Sequence, residues 1–391
     1  MNRVKKLFEL LKKQSSKNGI IRWRAPSNIA LIKYWGKKNS STTAIPSEQI
    51  QLPATPSISF TLKHSYTDMV FQYELRDDGI QSKKQKEICA NFSFDSFLGE
   101  EDHKKSEDAF AKKINKFFKN IESDFPFLRN YKINITSSNS FPHSAGIASS
   151  ASSMAALALA VVSLDAIISK NKKVNFNIDD FFQRASQTAR IGSGSAARSV
   201  YGNFVLWGEN NLWSTCSDLW ATPVNNYINI HDNFSHLMDA ILIVDSSVKK
   251  VSSSVGHSLM NDHPFREGRY QDVNKKLKAL CNVLTSGDYL EFIKIVESEA
   301  LTLHALMMSS TPSYLLLKAE SLILMEKIIE FRKESKIPVC FTIDAGPNIH
   351  LIYPANYHSK IKDFIELELA HYLDKRSWIS DEMGEGPSYL T

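Results

Sequence analysis

The chain has 391 residues, of which 43% are hydrophobic and 23% are charged, and its formal net charge is +5. These proportions are typical of a globular protein and argue against a largely disordered chain. The length predicts two domains or one large one. The small charge excess and the lack of a recognition motif give little support to nucleic-acid binding, although a locally basic cleft would suit a substrate with several phosphates.

The cysteines and histidines show no metal-binding or redox pattern. None of the four cysteines forms a C-x-x-C pair, and the 11 histidines show no H-E-x-x-H spacing. The cysteine spacing therefore indicates free thiols in a reducing cytoplasm.

No membrane span is predicted. The longest apolar run, residues 154–168, is interrupted by Ser163 and Asp165 and is too short to cross a bilayer. Residues 1–13 are amphipathic and predict a short surface helix. A transit peptide or membrane-surface anchor is the alternative, which Glu9 and the shortness of the segment disfavour.

Hydrophobic periodicity predicts strands early in the chain and mostly helices in the second half. The expected boundary between domains lies near residues 208–211, where a strand ends in a polar stretch. The predicted strands cover residues 58–62, 68–75, 131–136, 203–207, 240–245, 339–343 and 349–353, and the predicted helices cover residues 109–121, 150–168, 178–190, 273–284, 290–308 and 314–332.

The first chemical signal is the Ser/Gly/Ala loop at residues 142–152. Small residues let a ligand approach the backbone closely, and the free N–H groups of the following helix form an anion site. The alternative is a tightly packed helix start with hydroxyl caps. The G-K-[ST] of a Walker A loop is missing.

A second signal, residues 190–199, combines Gly and Ser with Arg198, whose guanidinium can clamp a phosphate or carboxylate. The alternative is a linker that carries a surface arginine. Residues 24–37 place two lysines four apart around Tyr and Trp, which could line an anionic pocket or form an edge strand with solvated lysines.

Two further loops carry suitable side chains. Asp344 follows an apolar strand and precedes a Gly-Pro turn, so it marks either a site or an Asx turn. Residues 249–254 supply lysines and serines that could close over phosphates, and a plain polar loop is the alternative.

Together and in this order, these segments resemble the diphosphomevalonate decarboxylase family of the GHMP kinase superfamily. The motif A-P-x-N-I-A-x-x-K-Y-W-G-K at residues 25–37 and the motif G-S-G-S-A-x-R-S at residues 192–199 are highly specific to this family, and D-A-G-P-N at residues 344–348 supports it. The resembling segments span nearly the whole chain: residues 25–37, 52–62, 139–152, 190–207, 249–254, 341–348 and 383–387.

The resemblance implies an α+β fold of the two-domain GHMP kinase type with a deep active-site cleft. It implies an N-terminal ATP-binding domain over residues 1–209, with an extension at residues 1–20, and a C-terminal domain over residues 210–391. The implied reaction is ATP-dependent decarboxylation of mevalonate 5-diphosphate to isopentenyl diphosphate, phosphate, ADP and CO₂ in the mevalonate pathway of isoprenoid biosynthesis. The implied cofactors are ATP and Mg²⁺, and the implied oligomeric state is a homodimer. A cytoplasmic location is expected from the absence of targeting signals and from the free cysteines, and neither a nucleic-acid nor a membrane partner is expected.

By position, the resemblance also implies site residues. Asp344 matches the catalytic aspartate that faces the C3 hydroxyl, Arg198 the arginine that sets the substrate carboxylate, and Lys33 the motif lysine near the phosphates. The implied substrate-binding residues are Asn28, Tyr34, Trp35, Gly36, Lys37, Ser193, Gly194, Ser195, Ala196, Ala197, Arg198, Ser253 and Ser254, and the implied ATP-binding residues are Ser144, Ala145, Gly146, Ala148, Ser149, Ser150 and Lys249.

Some positions depart from the family pattern. His143, Ser144, Ser152, Ser153 and Ala197 replace residues common in the family, and a further substrate-binding arginine expected near Ser106 is missing. Three alternatives therefore stay open: a decarboxylase of mevalonate 5-phosphate, a kinase that phosphorylates the C3 hydroxyl without decarboxylation, and a non-catalytic binding homologue.

Overall fold

A computed structural model describes residues 2–38, 50–76, 88–94, 100–141, 149–169, 177–247 and 253–391. Two sheets with helices packed against them form an α+β architecture. The first, seven-stranded sheet has the order β11-β1-β2-β4-β3, with β5 paired to β2 and β6, and the second has the order β10-β7-β9-β8. The strands are β1 (Asn18–Ile32), β2 (Ser57–Leu75), β3 (Cys89–Phe94), β4 (Tyr131–Asn139), β5 (Phe204–Trp207), β6 (Ala221–Pro223), β7 (Leu237–Leu242), β8 (Cys340–Ile343), β9 (Ile349–Pro354), β10 (Trp378–Glu382) and β11 (Ser388–Tyr389).

The helices follow the predicted pattern in most places. The prediction of a helix start at residue 314 is wrong, because α8 begins at Ala319, and α2 extends further towards its N-terminus than its apolar spacing predicts. The helices are α1 (Asn2–Lys13), α2 (Glu100–Ile121), α3 (Ser149–Ser169), α4 (Ile178–Gly192), α5 (Ser253–Ser258), α6 (Arg266–Ser286), α7 (Tyr289–Met308), α8 (Ala319–Ser335) and α9 (His358–Phe364).

Strand β2 joins what the sequence predicts as two strands. Its register against β1 shifts between Pro26 and Asn28. At that irregularity the backbone N–H groups of Lys63 and His64 donate to the buried carboxylate of Asp381, at 3.0 and 2.8 Å. The strand therefore continues through the polar residues, because a side chain replaces the missing ladder partners.

The expectation that the apolar run at residues 154–168 is too short to cross a bilayer is wrong, because helix α3 is long and apolar enough by length and composition. However, 94% of its apolar window is buried inside the protein. It packs against β1, β2 and α4. Ser163, which interrupts the apolar run, accepts a hydrogen bond from the Trp23 indole at 2.9 Å. The helix is thus a core element.

Helix α1 forms as predicted, but it is more than a surface helix. Leu7 and Leu11 belong to the core around α3, and Phe8 meets Phe181 edge-on with ring centroids 5.9 Å apart. Helix α1 therefore packs against helices α3 and α4.

The two halves of the chain share packing. One core cluster contains Ile29 and Phe60 from the first sheet together with Leu237 and Leu277. Near the C-terminus, Tyr389 of β11 pairs with Trp23 of β1. The predicted division at residues 209–210 falls just after β5, and it stays a prediction.

Candidate active site

A cleft of about 530 Å³ lies between the two sheets. It is bounded by the end of β1, one face of α2, the first turns of α3, the segment after α4, helix α5 and the turn after β8. Its described lining includes Ala30, Lys33, Tyr34, Trp35, Lys37, Ile50, Gln51, Lys113, Lys116, Phe117, Asn120, Ser150, Met154, Ile191, Gly192, Ser193, Gly194, Ser195, Arg198, His257, Leu303, Asp344 and Ala345.

Lys33 and Asp344 form an ion pair in this cleft. Lys33 Nζ lies 2.7 Å from Asp344 Oδ1; the Lys33 side chain is 2% exposed and that of Asp344 is 29% exposed. The carbonyl of Asp344, rather than its carboxylate, accepts the N–H of Gly346 at 2.8 Å and closes the turn. The carboxylate therefore faces a buried ammonium and remains open to the cleft.

Helices α6 and α7 support this pair from behind. The N–H of Lys33 donates to Glu299 Oε1 at 2.9 Å, and Arg269 donates to the carbonyl of Lys33 at 3.3 Å. Arg269 and Glu299 are themselves a buried ion pair. His304, also on α7, lies with Nε2 3.0 Å from the carbonyl of Asp344. One helix thus contacts the backbone on both sides of the ion pair.

Glu299 stays ionised beneath the cleft. Burial alone would raise the pKa of this carboxyl, but the charges and hydrogen bonds of Arg269 and Lys276 lower it below its ordinary value. A charged carboxylate that accepts the Lys33 N–H gives the end of β1 a fixed position.

Arg198 is 2% exposed rather than a surface residue. Its guanidinium donates to Ser59 Oγ at 2.9 Å, to Ser57 Oγ at 2.6 Å and to Asn28 Oδ1 at 3.3 Å. Burial lowers its pKa to about 10, opposed by the charge of Asp344. The guanidinium is therefore still charged at neutral pH, and the linker alternative for this segment is wrong.

The segment from Tyr34 to Lys37 lines the cleft beside His257. The Tyr34 ring lies 4.8 Å from Trp207 and 4.3 Å from His257 between centroids, and burial raises the pKa of the Tyr34 phenol. Burial, with the neighbouring charge of Lys116, lowers the pKa of Lys37. The alternative of an edge strand with solvated lysines is wrong, because Lys33 is buried and the block forms the cleft wall.

Gly36 and Gly194 occupy backbone positions where a side chain would be strained or would clash. Gly36 has a φ of +93°, where side chains are strained. A Cβ at Gly194 would lie 2.7 Å from the ring of Tyr34, so the backbone there approaches the tyrosine closely.

The serines after α4 meet the start of α3. Ser193 Oγ lies 3.4 Å from Ser150 Oγ and 3.5 Å from Ser195 Oγ. Ser149 begins the same helix. Hydroxyls and free helix N–H groups therefore converge on one end of the cleft, as expected for an anion site.

Several predicted residues do not line the cleft. Ala196 and Ala197 are fully buried in the core, and Asn28 acts from behind by holding Arg198, Ser199 Oγ (2.8 Å) and the carbonyl of Ser195 (3.2 Å). Ser144, Ala145, Gly146, Ala148 and Lys249 lie outside the described residues, and Ser253 and Ser254 are described only as the backbone start of α5.

Helix α2 contributes cleft residues that the sequence analysis missed. Lys113, Lys116 and Asn120 lie on one helix face and line the cleft. They flank Ile114 and Phe117, which are buried in the core. The helical spacing of these residues could have shown that they share a face, but not that this face meets the cleft. Among the described lining residues, five side chains are cationic and Asp344 is the one carboxylate.

Comparison with known proteins gives one consistent result. The model of the diphosphomevalonate decarboxylase-like N-terminal domain matches residues 25–217, and that of the mevalonate 5-diphosphate decarboxylase C-terminal domain matches residues 240–386. The diphosphomevalonate decarboxylase of Eremothecium gossypii is 28% identical over 350 residues, covering 87% of this chain and 79% of the relative.

Solved structures agree along almost the full length. The mevalonate diphosphate decarboxylase of Staphylococcus aureus is 27% identical, with a TM-score of 0.73 and coverage of 96% of this chain and 98% of that one. A complex of MDDEF with MVAPP, the ATP analogue AMPPCP and magnesium is 26% identical, with a TM-score of 0.71 and coverage of 95% and 98%.

Fold, cleft and comparisons together define an ATP-dependent enzyme with the GHMP kinase-like fold. More narrowly, the chain belongs to the diphosphomevalonate decarboxylase family.

Proposed function

We propose that the cleft catalyses the ATP-dependent decarboxylation of mevalonate 5-diphosphate in the mevalonate pathway. The C3 hydroxyl attacks the γ-phosphorus of ATP, which releases ADP and leaves a phosphate ester on C3. The C3–O bond then breaks, phosphate leaves with the bonding electrons, and the electrons of the C–carboxylate bond form the new double bond as CO₂ departs. The organic product is isopentenyl diphosphate.

Asp344 is the group that orients the C3 hydroxyl and accepts its proton. Its carboxylate is partly exposed to the cleft and lies 2.7 Å from Lys33 Nζ. Lys33 keeps that carboxylate in place and supplies positive charge beside the transferring phosphoryl group. Phosphorylation turns the hydroxyl into a good leaving group.

Arg198 and the lysines of the cleft bind the negative charge of the substrates. Arg198 holds the substrate carboxylate until the C3–O bond breaks, because its guanidinium is fixed by Ser57 and Ser59. Lys37, Lys113 and Lys116 bind phosphoryl oxygens. A substrate that brings a diphosphate and ATP into one cleft needs such an excess of positive charge.

The nucleotide phosphates bind at the start of α3, where Ser150 and Ser193 converge. Among the described residues, no group of three His, Cys, Asp or Glu side chains could hold a metal ion. Mg²⁺ would be held largely by the nucleotide phosphates, with the hydroxyl of Ser150 as an available protein ligand. When bound, it would neutralise phosphate charge.

The observation that carries this proposal is the Lys33–Asp344 pair in a cationic cleft. The test is CO₂ release with ATP and Mg²⁺, with mevalonate 5-diphosphate and mevalonate 5-phosphate compared and ADP followed in the same samples. CO₂ that matches ADP only with the diphosphate supports the proposal. Preference for the monophosphate, ADP without CO₂, or neither product would support, respectively, the rival decarboxylase, the C3 kinase and the binding homologue.

The homodimer and the cytoplasmic location stay predictions from the resemblance and the cysteines. Cys216, Cys281 and Cys340 are free and buried, which suits a reducing compartment. Light scattering coupled to size exclusion would test the dimer, and fractionation of cells would test the location.

A further inference from the structure

His257 lines the cleft, and the chemistry above gives it no role. It is 6% exposed, and its ring lies between those of Tyr34 and Trp35, with centroids 4.3 and 4.8 Å away. The preceding Gly256 permits this close packing, because a Cβ there would lie 2.4 Å from the Trp35 ring. The imidazole is therefore held in one orientation at the cleft wall.

The tautomer of His257 follows from one hydrogen bond. The backbone N–H of Gly36 donates to Nδ1 at 3.1 Å. A backbone N–H can only donate, so Nδ1 carries no proton and the proton of the neutral ring sits on Nε2. Among the described residues, Nε2 has no hydrogen-bond partner. The ring thus keeps one unused donor at the wall of the cleft.

The surroundings keep this ring neutral. Burial lowers the pKa of His257 well below its ordinary value, and the charge of Lys37 lowers it further. The charge of Lys116 in turn lowers the pKa of Lys37. Another cation at this point would repel both lysines, whereas a neutral N–H adds a directional contact without that repulsion.

We propose that His257 binds a phosphoryl oxygen of the substrate's diphosphate through Nε2–H, as a neutral and orientation-fixed donor. This inference rests on the proposed function. It is assigned to the diphosphate rather than to ATP because the ring packs on Tyr34 and Trp35 and accepts the N–H of Gly36. These residues belong to the segment that the family resemblance places on the substrate. His257 is therefore a specificity-determining residue for the anionic tail.

Two near-isosteric substitutions of His257 test the roles of the two ring nitrogens separately. His257→Asn places an oxygen near Nδ1, so it keeps the acceptor for Gly36 and removes the Nε2 donor. His257→Gln places an amide N–H near Nε2 and loses the acceptor. The exposed His371, which is not among the residues that line the cleft, supplies a matched control, His371→Asn.

The experiment measures the Kd for mevalonate 5-diphosphate by calorimetry without nucleotide, and then kcat and KM with ATP and Mg²⁺. A hydrogen bond to a charged group leads us to expect about a tenfold or larger rise in Kd and KM for His257→Asn, with a smaller change in kcat. We expect His257→Gln to recover most of that loss, and the ratio of KM for the diphosphate to KM for ATP to rise only in the variant without the donor.

The inference is overturned if His257→Asn binds the diphosphate as tightly as the unmodified chain. It is also overturned if the Asn and Gln variants lose affinity equally, because that result indicates packing alone. Failure of the proposed function looks different: the unmodified chain itself would then neither bind nor decarboxylate mevalonate 5-diphosphate.

Discussion

Lys33 and Asp344 are 311 residues apart in the chain, yet Nζ and Oδ1 lie 2.7 Å apart in the cleft. Lys33 directly follows β1 of the first sheet and Asp344 directly follows β8 of the second. The pair therefore exists only when the two sheets are docked. Helix α7 spans both sides, since Glu299 accepts the N–H of Lys33 and His304 contacts the carbonyl of Asp344.

Asp344→Asn tests the acid at this junction. The amide can still orient a hydroxyl but cannot take its proton, so we expect kcat to fall by about 10²–10⁴-fold. Binding of mevalonate 5-diphosphate should change far less, because the cationic side chains remain. Fixed-time assays of ADP and CO₂ measure kcat, and calorimetry measures binding of mevalonate 5-diphosphate. The exposed Glu368 supplies a control, Glu368→Gln, and a variant that kept activity within tenfold would contradict the role of Asp344.

Glu299→Gln tests the support beneath Lys33. This carboxylate is fully buried and paired with Arg269, so its neutralisation leaves a buried cation without its counter-charge. We expect the free energy of unfolding to fall by about 3–5 kcal/mol, and kcat to fall with it because the end of β1 loses its anchor. Urea denaturation gives the first quantity and the decarboxylase assay, below the unfolding range, gives the second.

A second variant separates charge from packing at this pair. The double substitution Glu299→Gln with Arg269→Met removes both charges, so its stability should recover part of the single-variant loss. If the double variant were as unstable as the sum of both single ones, the ion pair would not be the source of the effect.

Lys113→Gln and Lys116→Gln test whether α2 belongs to the site. Both lysines line the cleft, so each change should raise KM for the anionic substrates by roughly tenfold, with a smaller effect on kcat. Since the contacts are ionic, the substrate affinity of the double variant should also depend less on salt. Lys119, on the same helix but in its last turn, provides the control Lys119→Gln. Unchanged KM values in both variants would remove α2 from the site.

The sequence predicted the parts of this site that local chemistry marks. The segments around Lys33, Arg198 and Asp344 carry family motifs, and each proves to line or support the cleft. Sequence spacing could not show that Lys113 faces the same cleft, because that depends on how α2 packs on the first sheet. Likewise, the burial of Arg198 depends on Ser57 and Ser59 of a strand that only the fold brings to it. The apolar α3 illustrates the same limit: composition alone does not distinguish a core helix from a membrane span, and only its packing partners do.

The lowered pKa of His257 leads us to expect that the stability of the folded chain depends on pH. Burial and Lys37 place its pKa in the folded chain well below the ordinary value of 6.5. Below pH 6.5 the unfolded chain therefore binds a proton that the folded chain does not, so this residue lowers stability as pH falls and has no effect above that window. The slope for one such proton is about 1.4 kcal/mol per pH unit at 25 °C. Urea midpoints measured between pH 5 and 7.5 should rise with pH, and they should rise less steeply in His257→Asn, whatever its absolute stability. Equal slopes in both chains would show that the imidazole is protonated in the folded state as readily as in the unfolded one.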